Sequence, residues 1–355
     1  MERSITLAIA GDVMLGRLVN DTIATRGFAY PWGDVVQTAR DRADLFLVNL
    51  ECALTASAGR WFDGREKEFY FRAEPSVVET LRLGRVDFVS LANNHAGDYG
   101  DTGLLETVRV LDGATIVHAG AGANREAAAA PAYLTRAGAR VGIVAFADHP
   151  EEWAAGETSP GINFTSVRAP FADVRDTIAD TRRNADIVVF SIHWGPNMRA
   201  RPSNSFREFA HGIIDGGADI FWGHSAHVVQ GVEFWRDGVM LYDTGDFIDD
   251  YAIDADLRND LAALFFVRIA PTGEKDVELL PVEIDDMQVN VARGEARQWF
   301  ERRFATLCGE MGSTVVPGLR PDTIAVRPAG YTVLRRPKSP LPGLVHVDDA
   351  PSVSR

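Results

Sequence analysis

Five short polar clusters each close an apolar, strand-like run within the first 250 residues. They read Gly11-Asp12-Val13-Met14, Val48-Asn49-Leu50-Glu51, Ala92-Asn93-Asn94-His95, Ser191-Ile192-His193-Trp194-Gly195 and Gly223-His224-Ser225-Ala226-His227. A buried strand that runs into a polar turn is the repeating unit of an open α/β sheet, and ligands bind in such sheets outside the carboxyl ends of the strands. Carboxylate, amide oxygen and imidazole arriving from several strand ends are the donors that divalent metals take. One such cluster is commonplace. Five in this order and context point to a metal-dependent active site.

The segments between the clusters support an α/β fold. Ile5–Ala10, Leu45–Asn49 and Val86–Ala92 read as buried strands, and helices are expected over Pro75–Gly84 and Asp101–Leu111. Pro near the start and Gly at the end bound the first of these helices, and Leu104, Leu105, Val108 and Leu111 fall at helical spacing in the second. Such alternation implies right-handed crossovers and a largely parallel sheet. From Ala132 to Ala147 the pattern changes to two strands joined around Ala137-Gly138. Helix is expected again at Pro170–Arg183 and Ser205–Asp215, and strand at Asp186–Ile192 and Ala218–Trp222. Further strands follow at Gly231–Trp235, Val239–Tyr242, Leu261–Ile269 and Val277–Ile284, then a last helix at Gly294–Met311. Two sheets packed face to face with helices outside accommodate this mixture.

Seven of the 17 prolines lie between Pro317 and Pro351. Residues 1–313 are therefore expected to form the domain, and 314–355 a proline-rich tail, extended and either wrapping the domain or loose. At 46% hydrophobic and 24% charged, the 355-residue chain has the composition of a soluble globular protein. Its formal charge of −14 repels nucleic acid and anionic membrane, yet leaves room for an anionic substrate where metal or arginine reverses the local sign. Cys52 and Cys308, far apart, imply no disulfide framework. No run reaches the ~18 apolar residues of a membrane span. Ile5–Ala10 meets Gly11-Asp12 at once, which reads as a core strand rather than a signal peptide, so a cytoplasmic protein is expected.

Each site residue has a plainer alternative. Asp12 suits a helix N-cap ahead of Gly16, and Asn93-Asn94 suit a turn before Asp101. Glu51 ends a core strand and needs a partner; Asn49, two residues earlier on the same face, orients Glu51 or contacts substrate. A lone strand-end histidine is more often structural, but His193, His224 and His227 together, with Asp12 and Glu51 available, favour metal. His118, His149, His211 and His346 lack that context and read as structural. Arg17 is either an anion contact or a solvated helix residue. The acidic run Asp249, Asp250, Asp254, Asp256 and Asp260 fits no calcium loop and reads as a solvated, capping stretch.

The ordered set resembles the calcineurin-like metallophosphoesterases, in particular their CapA branch, associated with capsule and poly-γ-glutamate synthesis. The resemblance covers roughly residues 5–285 and takes in Gly11-Asp12-Val13-Met14-Leu15-Gly16-Arg17, His95-Ala96-Gly97-Asp98 and Tyr242-Asp243-Thr244-Gly245-Asp246-Phe247. It implies a four-layer α-β-β-α sandwich, two mixed sheets with flanking helices, and one or two divalent ions (zinc, manganese or iron). Glu51 takes the bridging role, Asn94, His193 and His224 complete one site, and Asp12 and His227 the other. His95 stands beside them as general acid or substrate contact. Catalysis then falls to Asp12, His95, His193 and His227, and substrate binding to Arg17, Asn49, Asn93, Asp98, Trp194 and Asp246. Two departures stand out: Met14 replaces the superfamily's usual histidine, as in CapA-like sequences, and Asp246 replaces their usual asparagine. The resemblance implies a hydrolase of a phosphoester or a peptide or glutamyl-type bond. Alternatives on the same fold are a peptide epimerase working by proton exchange at Cα, and a non-catalytic subunit of polymer assembly. The substrate is then a small molecule, peptide or polyglutamyl chain, and the oligomeric state is left open.

Overall fold

The computed structural model describes residues 3–62, 64, 67–168 and 171–330. Its centre is a ten-stranded sheet in which Ile5–Val13 pairs parallel with Leu45–Leu50, followed outward by Phe88–Ser90 and Val117–Ala119. On the other side of Ile5–Val13 lie Leu261–Ile269, Lys275–Asp285, Ile324–Pro328 and Ser313–Pro317, all antiparallel. A six-stranded sheet runs Val232–Trp235, Gly238–Leu241, Ile220–His224, Ile187–His193, Ala139–Ala147, Ala132–Arg136. Its four inner strands are parallel and its edges antiparallel.

Strand alternation explains the layering. Val141, Ile143, Val189, Ile220, Trp222 and Leu241 face the ten-stranded sheet and share its core, with Phe88 and Trp222 meeting edge to face across the gap. The neighbours of opposite parity, among them Phe146, Phe190, Phe221 and Met240, face outward onto helices Ala172–Arg182 and Asn204–Asp215. Side chains that alternate faces and are apolar on both require cover on both. Phe190, fully buried between sheet and helix, shows the scale: its truncation to alanine costs about 3–5 kcal/mol. Helices Arg17–Arg26, Val36–Arg42, Val78–Gly84 and Gly100–Gly113 accompany the larger sheet. The expected sandwich of two mixed sheets with flanking helices is what the chain forms.

The expected strands and helices recur with ends shifted by a few residues. The hairpin around Ala137-Gly138 turns through two left-handed residues, φ 55° and 74°. The expected domain boundary differs. Ser313–Pro317 and Ile324–Pro328 pair with each other and onto Lys275–Asp285, so regular structure continues past residue 314. Pro317 and Pro328 each end their strand, where a missing N–H costs least. The remaining proline-rich residues 331–355, with His346, lie outside the described residues, as does Pro170 at the start of the helix expected to reach Arg183.

Candidate metal centre

The two sheets deliver different donors to one point. In the ten-stranded sheet, Asp12 lies in register with Asn49 on one side and with Asp246, first residue of the short parallel strand Asp246–Ile248, on the other. In the six-stranded sheet, His193 is in register with His224. Adjacent strands in register point paired side chains to the same face. One sheet therefore presents a row of oxygens and the other a pair of imidazoles. Gly11 is required for the first row: a Cβ there would lie 1.7 Å from the Gly245 carbonyl oxygen, so only glycine lets the Thr244-Gly245 turn press against the strand. The Asp12 N–H donates to that carbonyl at 3.0 Å.

Asp12 is 1% exposed, and Asn49, Glu51, His193, His224 and Asp246 are fully buried. Asp12, His193 and His224 form one group of converging donor atoms; Asp12, Glu51, His227 and Asp246 form a second. The Asp12 carboxylate accepts from Asn49 Nδ2 at 2.7 Å and from the Ser225 N–H at 3.2 Å. It lies 3.6 Å from His224 Nδ1 and 3.6 Å from His227 Nδ1. His193 Nδ1 and His224 Nδ1 are 3.0 Å apart, and His224 Nε2 is held by Ser191 Oγ at 3.0 Å. Glu51 accepts from the Tyr251 hydroxyl at 3.0 Å, with its other oxygen 3.7 Å from His193 Nε2. Ser225 and His227 sit at φ 114° and 60°, left-handed conformations held by the loop after His224.

Three buried atoms at this point have no hydrogen-bond partner: Glu51 Oε1, His193 Nε2 and Asp246 Oδ2; Asn94 Oδ1 is also unpaired, and its main-chain carbonyl accepts from Lys67. Other unpaired buried atoms occur singly elsewhere, among them Thr80 Oγ1, Trp153 Nε1 and Ser313 Oγ; here they gather on carboxylate and imidazole donors that converge. Among the described residues no lysine or arginine forms an ion pair with Asp12, Glu51 or Asp246. Burial, reinforced by neighbouring carboxylates, pushes Glu51 up to about 8 and raises Asp12 and Asp246 well above the carboxylate range. Burial alone pulls His224 down to about 3, and burial with the surrounding imidazoles lowers His193. For His227 burial acts downward, yet Glu51, Asp12, Asp243 and Asp249 outweigh it and hold the imidazole above its usual value. Crowded carboxylates, orphaned donor atoms and the neutral imidazoles of His193 and His224 fit a divalent cation.

The remaining expected contacts act as supports. Asn49 orients Asp12, not Glu51. Asn93 donates to Asn49 Oδ1 and the Leu50 carbonyl and accepts the His95 N–H, so it braces the site and is not placed for substrate. Asp98, fully buried, accepts from the Phe71 N–H and pairs with Lys67 and with His95 Nδ1, the last at 2.6 Å; it anchors His95 instead of meeting substrate. Trp194 donates to the Tyr242 carbonyl and is packed among aromatic rings, with one face toward a cleft. Arg17 is committed to Asp250 and lies over the Phe69 and Phe71 rings. Met14 turns into the core, its sulfur accepting the Gly16 N–H.

His149, which reads as structural in the sequence, pairs with Asp148, and its ring lies 5.4 Å from that of His193. The acidic run is a correction, because Asp249 and Asp260 are buried and only part of the stretch meets solvent. Tyr251, Phe71 and Lys67 escaped sequence reasoning as well. Phe71 stacks on His95 at 3.7 Å and on Tyr251 at 5.6 Å. Nothing in an isolated Phe or Tyr distinguishes it from core; only the loop path brings these to the site.

Fold and site together define a class of two-sheet α/β sandwiches in which carboxylates and imidazoles converge between the strand ends. Within it, this chain belongs to the bacterial capsule synthesis protein PGA_cap family, whose profile matches residues 6–251. A probable polyglutamine synthesis accessory protein of Mycobacterium tuberculosis is 31% identical, over 90% of this chain and 95% of its own length. The capsule biosynthesis protein CapA of Bacillus anthracis is 26% identical, over 79% and 68% respectively. Among solved structures, a hypothetical protein from Thermus thermophilus aligns at TM-score 0.46 and 16% identity, covering 79% of this chain and 99% of that one. A purple acid phosphatase from yellow lupin aligns at TM-score 0.36 and 10% identity, over 82% and 53%. No helix among the described residues is long and apolar enough to cross a membrane.

Proposed function

We propose that this chain is a metal-dependent hydrolase that cleaves a phosphoester or glutamyl-type amide in an anionic polymer or peptide, within capsule or polyglutamate synthesis. The observation that carries the reading is the convergence of buried carboxylates and imidazoles on which Glu51, His193 and Asp246 keep donor atoms unpaired. Asp12, Glu51, His193, His224 and His227, with Asn94, are the residues that would hold the metal. A divalent ion in that position supplies Lewis acidity and makes water a far stronger acid.

The chain's own groups supply the rest. A cleft of about 580 Å³ is lined by Gly195, two residues beyond His193, and by Ala226, next to His227. Arg168, Arg199 and Arg201 also line it, a local reversal of the chain's formal charge of −14. Arg201 is engaged by Glu310 at 2.6 and 2.7 Å, whereas Arg168 and Arg199 have no ion-pair partner among the described residues. Guanidinium forks suit phosphate and carboxylate alike. His95 is fixed by Asp98, a carboxylate already accepting elsewhere, so its Nδ1 carries the proton and its Nε2 the lone pair. In hydrolysis, water adds to phosphorus or to the carbonyl carbon as the bond to the leaving oxygen or nitrogen breaks. His95 Nε2 accepts a proton from the water and returns it to the leaving atom.

Elemental analysis of protein purified without chelator or histidine tag, coupled to a phosphoester and polyglutamyl hydrolysis screen, tests this reading. Retained zinc, manganese or iron with hydrolysis dependent on it is the expected result. Folded protein that takes up no divalent ion even on reconstitution would sink it. Uptake of solvent deuterium at a peptide Cα without bond cleavage would replace hydrolysis with epimerisation.

A further inference from the structure

The Asp12 end of the centre receives no donor from the residue two places beyond Asp12. That residue is Met14, whose thioether is buried in the core and accepts the Gly16 N–H at 3.1 Å. A carboxylate arrives instead from another strand. Asp246 is the register partner of Asp12 across a parallel pair, placed by the close approach of Gly245 to Gly11. It is fully buried; Oδ1 lies 2.8 Å from His227 Nδ1, and Oδ2 has no partner. Its donor atom converges with those of Asp12, Glu51 and His227. An uncompensated buried carboxylate beside two others is strongly disfavoured by desolvation, and a cation offsets that cost.

We propose that Asp246 is a direct ligand of the divalent cation at the Asp12–Glu51–His227 end. The inference rests on the reading that the centre holds metal. It divides the centre by donor hardness. One end offers three carboxylates and one imidazole; the other, at Asp12, His193 and His224, is nitrogen-rich. Oxygen-rich sites suit Mn²⁺ and similar hard ions, and imidazole-rich sites suit Zn²⁺. The two ends therefore differ in relative preference, the first being the end at which Mn²⁺ competes best with Zn²⁺.

Titration of metal-free protein with Mn²⁺, followed by electron paramagnetic resonance and calorimetry, reads the first end without any activity assay. Zn²⁺ binding reads the second. In Asp246→Asn, Mn²⁺ affinity is expected to fall by more than the ~10–100-fold that losing an outer-shell partner costs, while Zn²⁺ affinity changes by less than about threefold. Asparagine keeps the carbonyl that accepts from His227, so Mn²⁺ affinity held within about threefold means that Asp246 only orients His227, and the proposal is overturned. Asp246→Glu, which keeps the charge, is expected to restore Mn²⁺ binding at least in part; failure of that rescue beside unchanged Zn²⁺ binding also counts against direct ligation. If the wild type binds neither ion, the underlying reading of the centre fails, a result distinct from wild-type binding that survives Asp246→Asn.

Discussion

Two clusters of acid and histidine among the described residues, one around Glu233 and one around Asp12, are built on opposite principles. Around Glu233, every acidic oxygen is spoken for. Arg207 reaches both oxygens at 3.1 and 3.3 Å, His211 Nε2 lies 3.0 Å from one, and the Tyr242 hydroxyl donates to the other at 2.8 Å. His211 in turn stacks flat on Trp235 at 3.9 Å. The carboxylate is matched by the Arg207 guanidinium, of which Nε alone is buried and unpaired. Around Asp12, three buried carboxylates face three imidazoles, no arginine or lysine pairs with the carboxylates among the described residues, and donor atoms are left open. A cluster that holds a fold closes on itself. One that holds a ligand stays incomplete until the ligand arrives.

The sharpest way to break this comparison is to remove one carboxylate from each cluster. Glu51→Ala is expected to strip bound metal and lower hydrolysis by about 10³-fold or more, with folding retained. Glu233→Ala is expected to leave metal content at the wild-type level. Elemental analysis and turnover on the same preparations decide it, and equal metal loss in both variants would erase the distinction. The reverse holds for stability. Glu233→Ala strands Arg207 and the Tyr242 hydroxyl, and is expected to cost about 3 kcal/mol in denaturant unfolding. A cost near zero would show that the closed cluster is ornament on a fold held by its apolar layers.

A finer prediction concerns the supports of the open cluster. Asn49 touches Asp12 at 2.7 Å and Asn93 at 3.1 Å. Asn49→Ala is expected to weaken metal binding by about 10–100-fold, because it frees Asp12 to rotate without removing a ligand. Competition with a chromophoric chelator measures this directly. An unchanged affinity would mean that the Ser225 N–H alone fixes Asp12.

The open cluster is the more legible of the two in the sequence, for a physical reason. Its ligands sit at strand ends, where an apolar run breaks off at a polar residue, and that break is visible one strand at a time. Asp12, Glu51, His193 and His224 announce themselves in this way. Glu233 and His211 sit inside a strand and a helix, where one polar residue among apolar neighbours looks like surface. Asp246 is half legible: the residue stands out as a departure, but its three-residue strand has no periodicity, and its place beside Asp12 depends on a parallel pairing of positions 234 residues apart. His149 is hidden for a similar reason, since only the packing of Ala139–Ala147 against Ile187–His193 brings it near His193. The strands at Ser313–Pro317 and Ile324–Pro328 are masked by prolines that fall at strand ends.

Cys308 offers the smallest effect and a local reporter of the closed cluster. Its sulfur accepts the N–H of Val232, the neighbour of Glu233, and its thiol is pushed up to about 12, chiefly by burial. An exposed thiol ionises near about 8.5. The folded value is the higher one, so the unfolded chain loses its proton first. Stability from this group is therefore intact below about pH 8.5 and declines as the pH climbs toward about 12. At about pH 8 a thiolate-seeking reagent is expected to label native Cys308 only as fast as the strand and helix Gly294–Glu310 come apart. Glu233→Ala should speed that labelling, while Glu51→Ala should leave it unchanged, with modified peptides resolved by mass spectrometry to separate Cys308 from Cys52. Acceleration by both substitutions would mean that the two clusters share one cooperative unit, and that closing one already depends on filling the other.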